Sequence, residues 1–449
     1  RAADCLHSLG LLHAARGQLT AAEPLLRQAL TIRRSTRGEG HPDVAESLTS
    51  LAGLYQALGD FAAAEHWYQE ALAIYRSASK ESKAGHGRCL NQLGRLHQAA
   101  GRLAEAEPLL QQALTFRRVA LGESHPDVAE SLTSLAGLYD ALGYYGAEEP
   151  LLQQAVTVSR AALGENHPGY ADTLTAQAAF FDAMGDYTKV EPLLRQALGI
   201  YRAALGEAHV KVAVCLSQLA RACVTLNRAA EGLQWFQQTA VIADRLLAQA
   251  VDLRLENRRS TILDNMQARL DMNLSLVFQH LGNSAEAVRY ALELFGRRRA
   301  IATELRAIAR EMALGKKYPD LQARVGELLD LRTQVVQKLL VGPGAEGEAA
   351  HQQELAAGTA RKDQWAAELA AQLPESDLEE KAPEADQRAP APPEGFEVVE
   401  LARVRVYDFK AVPARGEPRW LPARYLAFAR STQEPGQLQL IDLGDGQAD

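Results

Sequence analysis

Apolar positions in the first half of the chain follow a helical beat that stops and restarts at fixed intervals. Within residues 41–83, Val44, Leu48, Leu51, Ala52, Tyr55 and Leu58 recur at helical spacing, which predicts an amphipathic helix with one buried stripe. Pro42 suits its first turn, where a missing N–H costs no bond, and Asp43 complements the positive helix end. Gly59 closes the segment as a residue free to take positive φ. Asp60 then caps a second helix, with Phe61, Ala64, Trp67, Tyr68, Ala71, Leu72 and Tyr75 as its stripe. Pro24, Pro108, Pro150 and Pro192 fall early in the equivalent helices of other copies, before the backbone ladder has begun. The unit is a helical hairpin.

That hairpin recurs. Residues 41–59 and 125–143 differ only at Gln56 against Asp140 and lie 84 residues apart, two periods of 42. Gly17, Gly59, Gly101, Gly143 and Gly185 keep the step, with Asn227 in the next place. Copies begin near residues 1, 41, 83, 125, 167 and 209, so six hairpins are predicted over 1–240. Each buries its stripe only against its neighbours, so stability spreads along the stack. The H-P-D-V-A start, L-x-x-L-A-x-L-Y, the hinge glycine and A-E-P-L-L-x-Q-A-L (22–30 and 106–114) resemble the tetratricopeptide repeat in the 42-residue form of kinesin light chains. The resemblance implies a right-handed α-solenoid whose first helices line a concave groove.

After the sixth hairpin the register breaks. Residues 241–270 read as one long helix, 281–287 as a degenerate hinge, and 288–340 as amphipathic helix interrupted near Gly315–Pro319. Together 241–340 form a helical extension that caps the stack. Residues 341–395 are rich in Pro, Gly and charge and read as a flexible linker in which a short helix can form. From Phe396 the period shortens to two: Phe396–Phe409, Arg424–Arg430 and Leu438–Leu443 read as strands. Y-D-F-K (407–410), W-x-x-x-R-Y-x-A-F (420–428) and I-D-L-G-D (441–445) resemble the first strands of the CHAT domain, a caspase-like family found after tetratricopeptide repeats. This implies the start of an α/β caspase-like cysteine-peptidase fold over 396–449. Neither member of its histidine–cysteine pair can be assigned here, so this chain is expected to be inactive by itself. It opens on Arg1 rather than methionine and ends after a strand-like run, which reads as a fragment.

Charge and chemistry narrow the function. A net charge of −8 and a pI near 5.9 argue against a nucleic-acid surface, and Arg258–Arg259 and Arg297–Arg299 read as solvated helix faces. No run of about 18 apolar residues is present to span a membrane. Cys5, Cys89 and Cys215 share one repeat position where other copies have Ser or Thr; with Cys223 they read as buried thiols of a reducing cytosol. A cytoplasmic location is therefore expected. His41, His125, His167 and His209 share a loop position and read as turn-shaping residues, and no H-E-x-x-H or paired C-x-x-C occurs. No metal, cofactor or small-molecule ligand is expected.

The candidate site is the groove. If the stripe faces the core, the opposite side of successive first helices forms a ladder: Asp4, Glu46, Arg88, Glu130 and Asp172. One turn on come Ser8, Ser50, Gln92, Ser134, Ala176 and Gln218, and a further turn gives Arg95 and Arg221. Asn91-Gln92 is the nearest match to the paired asparagines of kinesin-light-chain repeats; elsewhere Thr-Ser mostly stands there. An acidic groove with a basic centre suits an extended peptide carrying some positive charge. The expected function is the protein-binding regulatory arm of a CHAT-family peptidase, with a non-enzymatic scaffold as the alternative.

Overall fold

The computed structural model describes residues 1–15, 19–77, 83–250, 256–343, 347–373, 393, 396–431 and 438–445. The chain divides into two compact units, residues 1–222 with 412–417 and residues 223–411 with 418–449.

The first unit holds helical hairpins: α1 (Ala2–Ala15) with α2 (Leu19–Arg37), α3 (Pro42–Ala57) with α4 (Phe61–Ser77), and α5 (Lys83–Ala99) with α6 (Leu103–Leu121). There follow α7 (Pro126–Leu142) with α8 (Tyr145–Leu163), α9 (Pro168–Met184) with α10 (Tyr187–Leu205), and α11 (Val210–Thr225), whose last residues fall in the second unit; α12 (Ala229–Ala250) lies in the second unit. Helices α2, α4, α6 and α8 also pack on the first helix of the following copy, and first helices α3, α5, α7 and α9 neighbour one another in turn. Burial from two sides explains why α3 hides more than its predicted stripe. Ala45, Ser47 and Leu54 are buried alongside Val44, Leu48, Leu51 and Ala52. Phe61, by contrast, is exposed at the start of α4.

Local chemistry fixes the ends. His41, His125 and His167 are N-caps whose Nδ1 accepts the N–H two residues on, at 3.0–3.1 Å. Gly143 sits at φ 74° after α7, and Asn227 at φ 60° fills the equivalent place in its copy. Nothing lies within 4 Å of where a Gly143 Cβ would stand, so only backbone strain opposes a side chain there. Gly143→Val is expected to lower stability by about 1 kcal/mol or more, and an unchanged urea-unfolding midpoint would reject the left-handed cap.

The second unit contains α13 (Glu256–His280), α14 (Ala285–Lys317), a 3-10 turn (Pro319–Leu321), α15 (Gln322–Val341) and α16 (Glu348–Ala370). The long helix expected over 241–270 runs across 251–255, which lie outside the described residues; the described parts on either side belong to α12 and α13. The stretch read as linker carries a 23-residue helix, α16, well beyond a short one. Its reason is local propensity in Ala, Glu, Gln and Lys, joined by Trp365, Ala366 and Leu369 packing into a core with Leu328, Leu329 and Val336 of α15. The proline-rich part, 381–395, lies outside the described residues apart from Pro393. The Arg297–Arg299 cluster is not a solvated face throughout, because Arg298 is 5% exposed and pairs with Asp244 at 2.5 Å.

β1 (Phe396–Tyr407), β2 (Trp420–Ser431) and β3 (Leu438–Gly444) form one antiparallel sheet in the order β1-β2-β3. Ala402, Val404 and Val406 alternate inward along β1, whereas Tyr425–Ala429 of the central strand are all buried. Helix α13 secures β1: the Tyr407 N–H donates to Ser275 Oγ at 2.9 Å, and Gln279 Nε2 donates to the Tyr407 carbonyl at 3.0 Å.

Candidate functional site: a cleft along the first helices

At each junction between hairpins, the last turn of a second helix meets the next first helix. The second-helix residue is Arg33, Tyr75, Arg117, Ser159 or Tyr201 in successive copies, and the first-helix position that follows is Ser47, Cys89, Ser131, Thr173 or Cys215. The types match physically. A buried guanidinium needs acceptors, and Arg33 and Arg117 find serine hydroxyls at 2.9 and 2.8 Å. Ser159 and Thr173 share a hydroxyl–hydroxyl bond of 2.9 Å. Tyrosine copies face a thiol, a small apolar neighbour. Burial pushes the Cys89 and Cys215 thiols up to about 12, which leaves them without nucleophilic thiolate at neutral pH. Cys5 differs from the expectation: it is exposed.

Through these junctions the ladder carboxylates are held in place. Arg33 reaches Asp4 at 3.0 Å and Glu46 at 3.3 Å, and its hydrogen bond helps hold the Asp4 carboxyl below the usual range. Arg117, fully buried, donates to the Asp127 carbonyl at 2.7 Å and to Glu130 at 3.1 Å. Gly87 makes room for it, because a Cβ there would stand 2.8 Å from Arg117 Cγ. Asp172 accepts from the Tyr201 hydroxyl at 2.7 Å and from Lys211 Nζ at 2.7 Å on both oxygens. The acidic ladder therefore carries its own counter-charges.

Four of the expected residues, Arg95, Glu130, Ser134 and Asp172, line a single cleft of about 690 Å³, together with Gln98 and Lys211. It runs along α5, α7, α9 and α11. Arg95 stands 3.9 Å from Glu130. Asn91 is buried behind the cleft, its Nδ2 donating to Glu130 at 3.4 Å. Arg88 is exposed and Gln92 half-buried, and neither lines the cleft. Asp4, Ser8, Glu46 and Ser50 belong to the first two hairpins, outside it; Ser50 lies 3.4 Å from His7 Nε2. Gln218 is half-buried and Arg221 pairs with Asp182 at 3.3 Å, also outside. Lys211, Gln98, Arg33, Arg117 and Tyr201 were not expected. For Arg33 and Arg117 the signal was present in the 42-residue step of the second helices, where Arg and Ser interrupt an apolar stripe.

Residues 2–77, 88–161 and 149–203 match the family model of the tetratricopeptide repeat. This part of the chain carries tetratricopeptide repeats. No curated protein matches the chain. Among solved structures it is similar to a Podosopora anserina protein described as a kinesin light chain with nearly identical TPR-like repeats, at 27% identity over 45% of this chain and 96% of that one, with a TM-score of 0.37. It is also similar to BtubC (BKLC) from P. vanneervenii, at 19% identity over 50% of this chain and 89% of that one, with a TM-score of 0.42. The apo form of RapI matches at 15% identity over 65% of this chain and 97% of that one, with a TM-score of 0.45. No described helix is long and apolar enough to cross a membrane.

Proposed function

We propose that the tetratricopeptide array binds an extended peptide segment of a partner protein in the cleft along α5, α7, α9 and α11. Tetratricopeptide-repeat proteins mediate protein–protein interactions. The observation that carries the reading is the grouping of Arg95, Glu130, Ser134, Asp172 and Lys211 around one cleft. Because Glu130 and Asp172 already hold cations, a net positive peptide is not required. A peptide carboxylate can take Arg95 from its loose 3.9 Å contact, and a peptide amine can compete with Lys211 for Asp172. Peptides selected from a random library on the full chain should bind at least about tenfold more weakly to Ser134→Trp, which fills the cleft without touching the buried pairs. Equal affinity for the variant overturns the site.

The finer reading is that this array is the regulatory arm of a CHAT-type cysteine peptidase. Support comes from the resemblance of 407–410, 420–428 and 441–445 to the first strands of that domain, in segments that here lie on or beside one antiparallel sheet. Peptidase activity of a protein containing this chain, measured with and without a cleft-binding peptide, tests it. Equal rates leave the scaffold reading in place.

A further inference from the structure

The buried residue at each hairpin junction governs what the next rung of the first-helix ladder can carry. Arg33 precedes Glu46 and Arg117 precedes Glu130, each guanidinium holding the carboxylate 13 positions on. Tyr75 precedes Arg88 and Tyr201 precedes Val214, so a buried tyrosine is followed by a rung that is not acidic. A buried phenol offers a carboxylate no counter-charge. Ser159 precedes Asp172, whose cation comes instead from Lys211 at 2.7 Å.

The acidic rungs are thus neutralised from within the array, and the basic rung is not. Asp127, the third carboxylate of the cleft, lies in the first turn of α7, against the positive end of that helix. Arg88 is exposed and has no carboxylate partner among the described residues. Arg95, also exposed, stands 3.9 Å from a Glu130 that Arg117 already holds at 3.1 Å. Helix α5 contains Lys83, Arg88 and Arg95 and no Asp or Glu, in a chain of net charge −8. Arg88, Gln92 and Arg95 fall at i, i+4 and i+7 and share one face. The half-buried Gln92 amide likewise has no hydrogen-bond partner among the described residues. These three donor groups form a strip about two helical turns long, roughly 10 Å, and Arg95 joins it to the cleft. An extended chain covers that length in about three residues.

We propose that this strip of α5 selects an acidic peptide, with carboxylates about three residues apart on Arg88 and Arg95 and a backbone carbonyl between them on Gln92. The inference rests on the cleft as the peptide site and adds the chemistry of its occupant. A peptide suits the strip better than a nucleic acid. It can set uncharged residues against Glu46 and Glu130, the rungs on either side of Arg88, whereas a phosphate backbone repeats its charge at every step.

Fluorescence anisotropy of the full chain tests it, with a labelled twelve-residue peptide repeating glutamate-serine-glycine and the same peptide carrying glutamine for glutamate. The glutamate peptide should bind about tenfold more tightly at low salt. Arg88→Gln and Arg95→Gln should each weaken it about threefold or more and together remove the preference, with circular dichroism confirming the fold. Lys316→Gln, the same charge change at an exposed site of α14, should leave binding unaltered. Equal binding of the two peptides overturns the inference, and if Ser134→Trp weakens both, the cleft remains a site for uncharged chains. Loss on the arginine variants but not on Ser134→Trp upholds the acidic selectivity and removes the cleft instead. Equal loss on Lys316→Gln overturns the inference, because net charge would then account for the attraction. Tighter binding of an oligoadenylate of equal length also overturns it, since the strip would then read phosphates.

Discussion

Replacing Arg332 by methionine should destabilise the second unit by about 3–5 kcal/mol at neutral pH. Arg332 of α15 is 6% exposed and joins three helices through charge. Its Nε donates to both Glu311 oxygens at 2.7 and 2.8 Å, and its Nη1 to Glu304 at 2.6 Å, both on α14. Lys362 of α16 completes the group at 2.5 Å from Glu304. Burial works against the guanidinium's charge, yet the bonds to Glu311 and Glu304 outweigh it and hold its pKa above the ordinary value. The quartet is electrically balanced, two cations against two carboxylates. Methionine matches the stem but leaves Glu311 buried with its charge uncompensated, and that loss dominates. Urea unfolding at pH 7 reads the effect. A gap below about 1 kcal/mol at pH 7 would mean the quartet is solvated. Adding Glu311→Leu to Arg332→Met should recover most of the loss, since an apolar pair of similar volume replaces a buried ion pair at little cost.

The helical repeats were legible because their signal is local and renewed every 42 residues. Leu48 and Leu132 or Gly59 and Gly143 report a hairpin through spacing alone, and the family model matches over the same part of the chain. Strand periodicity in Phe396–Tyr407 was equally local. What escaped depends on pairs distant in sequence. Arg117 looks like a surface residue until Ser131 and Glu130 are placed against it by the following hairpin. Lys211 meets Asp172 across 39 positions, and Arg298 meets Asp244 across 54. A ladder drawn from one repeat position at a time therefore found Glu130 and Asp172 but missed Arg117 and Lys211, which neutralise them. Helix α16 was misread for a different reason. Alanine and charge resemble a linker in composition, and only the contact of Trp365 and Leu369 with α15 gives that helix a buried side.

Glu148 provides a second departure from the repeat, with a pH-dependent consequence. Its position holds Ala22, Ala64 and Ala106 in earlier copies and Val190 in the next, all buried. In α8 it holds a carboxyl that is 3% exposed, with Oε2 lacking any hydrogen-bond partner among the described residues. Burial, assisted by the nearby charge of Asp140, pushes its pKa up from 4.5 to about 8. The folded protein therefore keeps this proton at neutral pH, whereas the unfolded chain releases it near 4.5. Between those values the native state binds more protons, so stability falls as pH rises, by up to about 1.4 kcal/mol per unit. Below pH 4.5 the penalty is absent, and above about 8 it is complete. Glu148→Gln keeps the shape and abolishes the titration. Its stability relative to wild type should rise steadily from pH 5 to 8, reaching a few kcal/mol in all, and then level off. Glu148→Ala should show the same slope, because it too removes the titrating group while restoring the residue of the earlier copies. Thermal or urea unfolding of the three proteins at pH 5, 6, 7 and 8 decides the matter. Parallel stability curves for wild type and glutamine variant would show that this carboxyl is ionised and hydrated in the fold. A widening gap would show that the fourth hairpin carries a protonated glutamate where its neighbours carry alanine or valine.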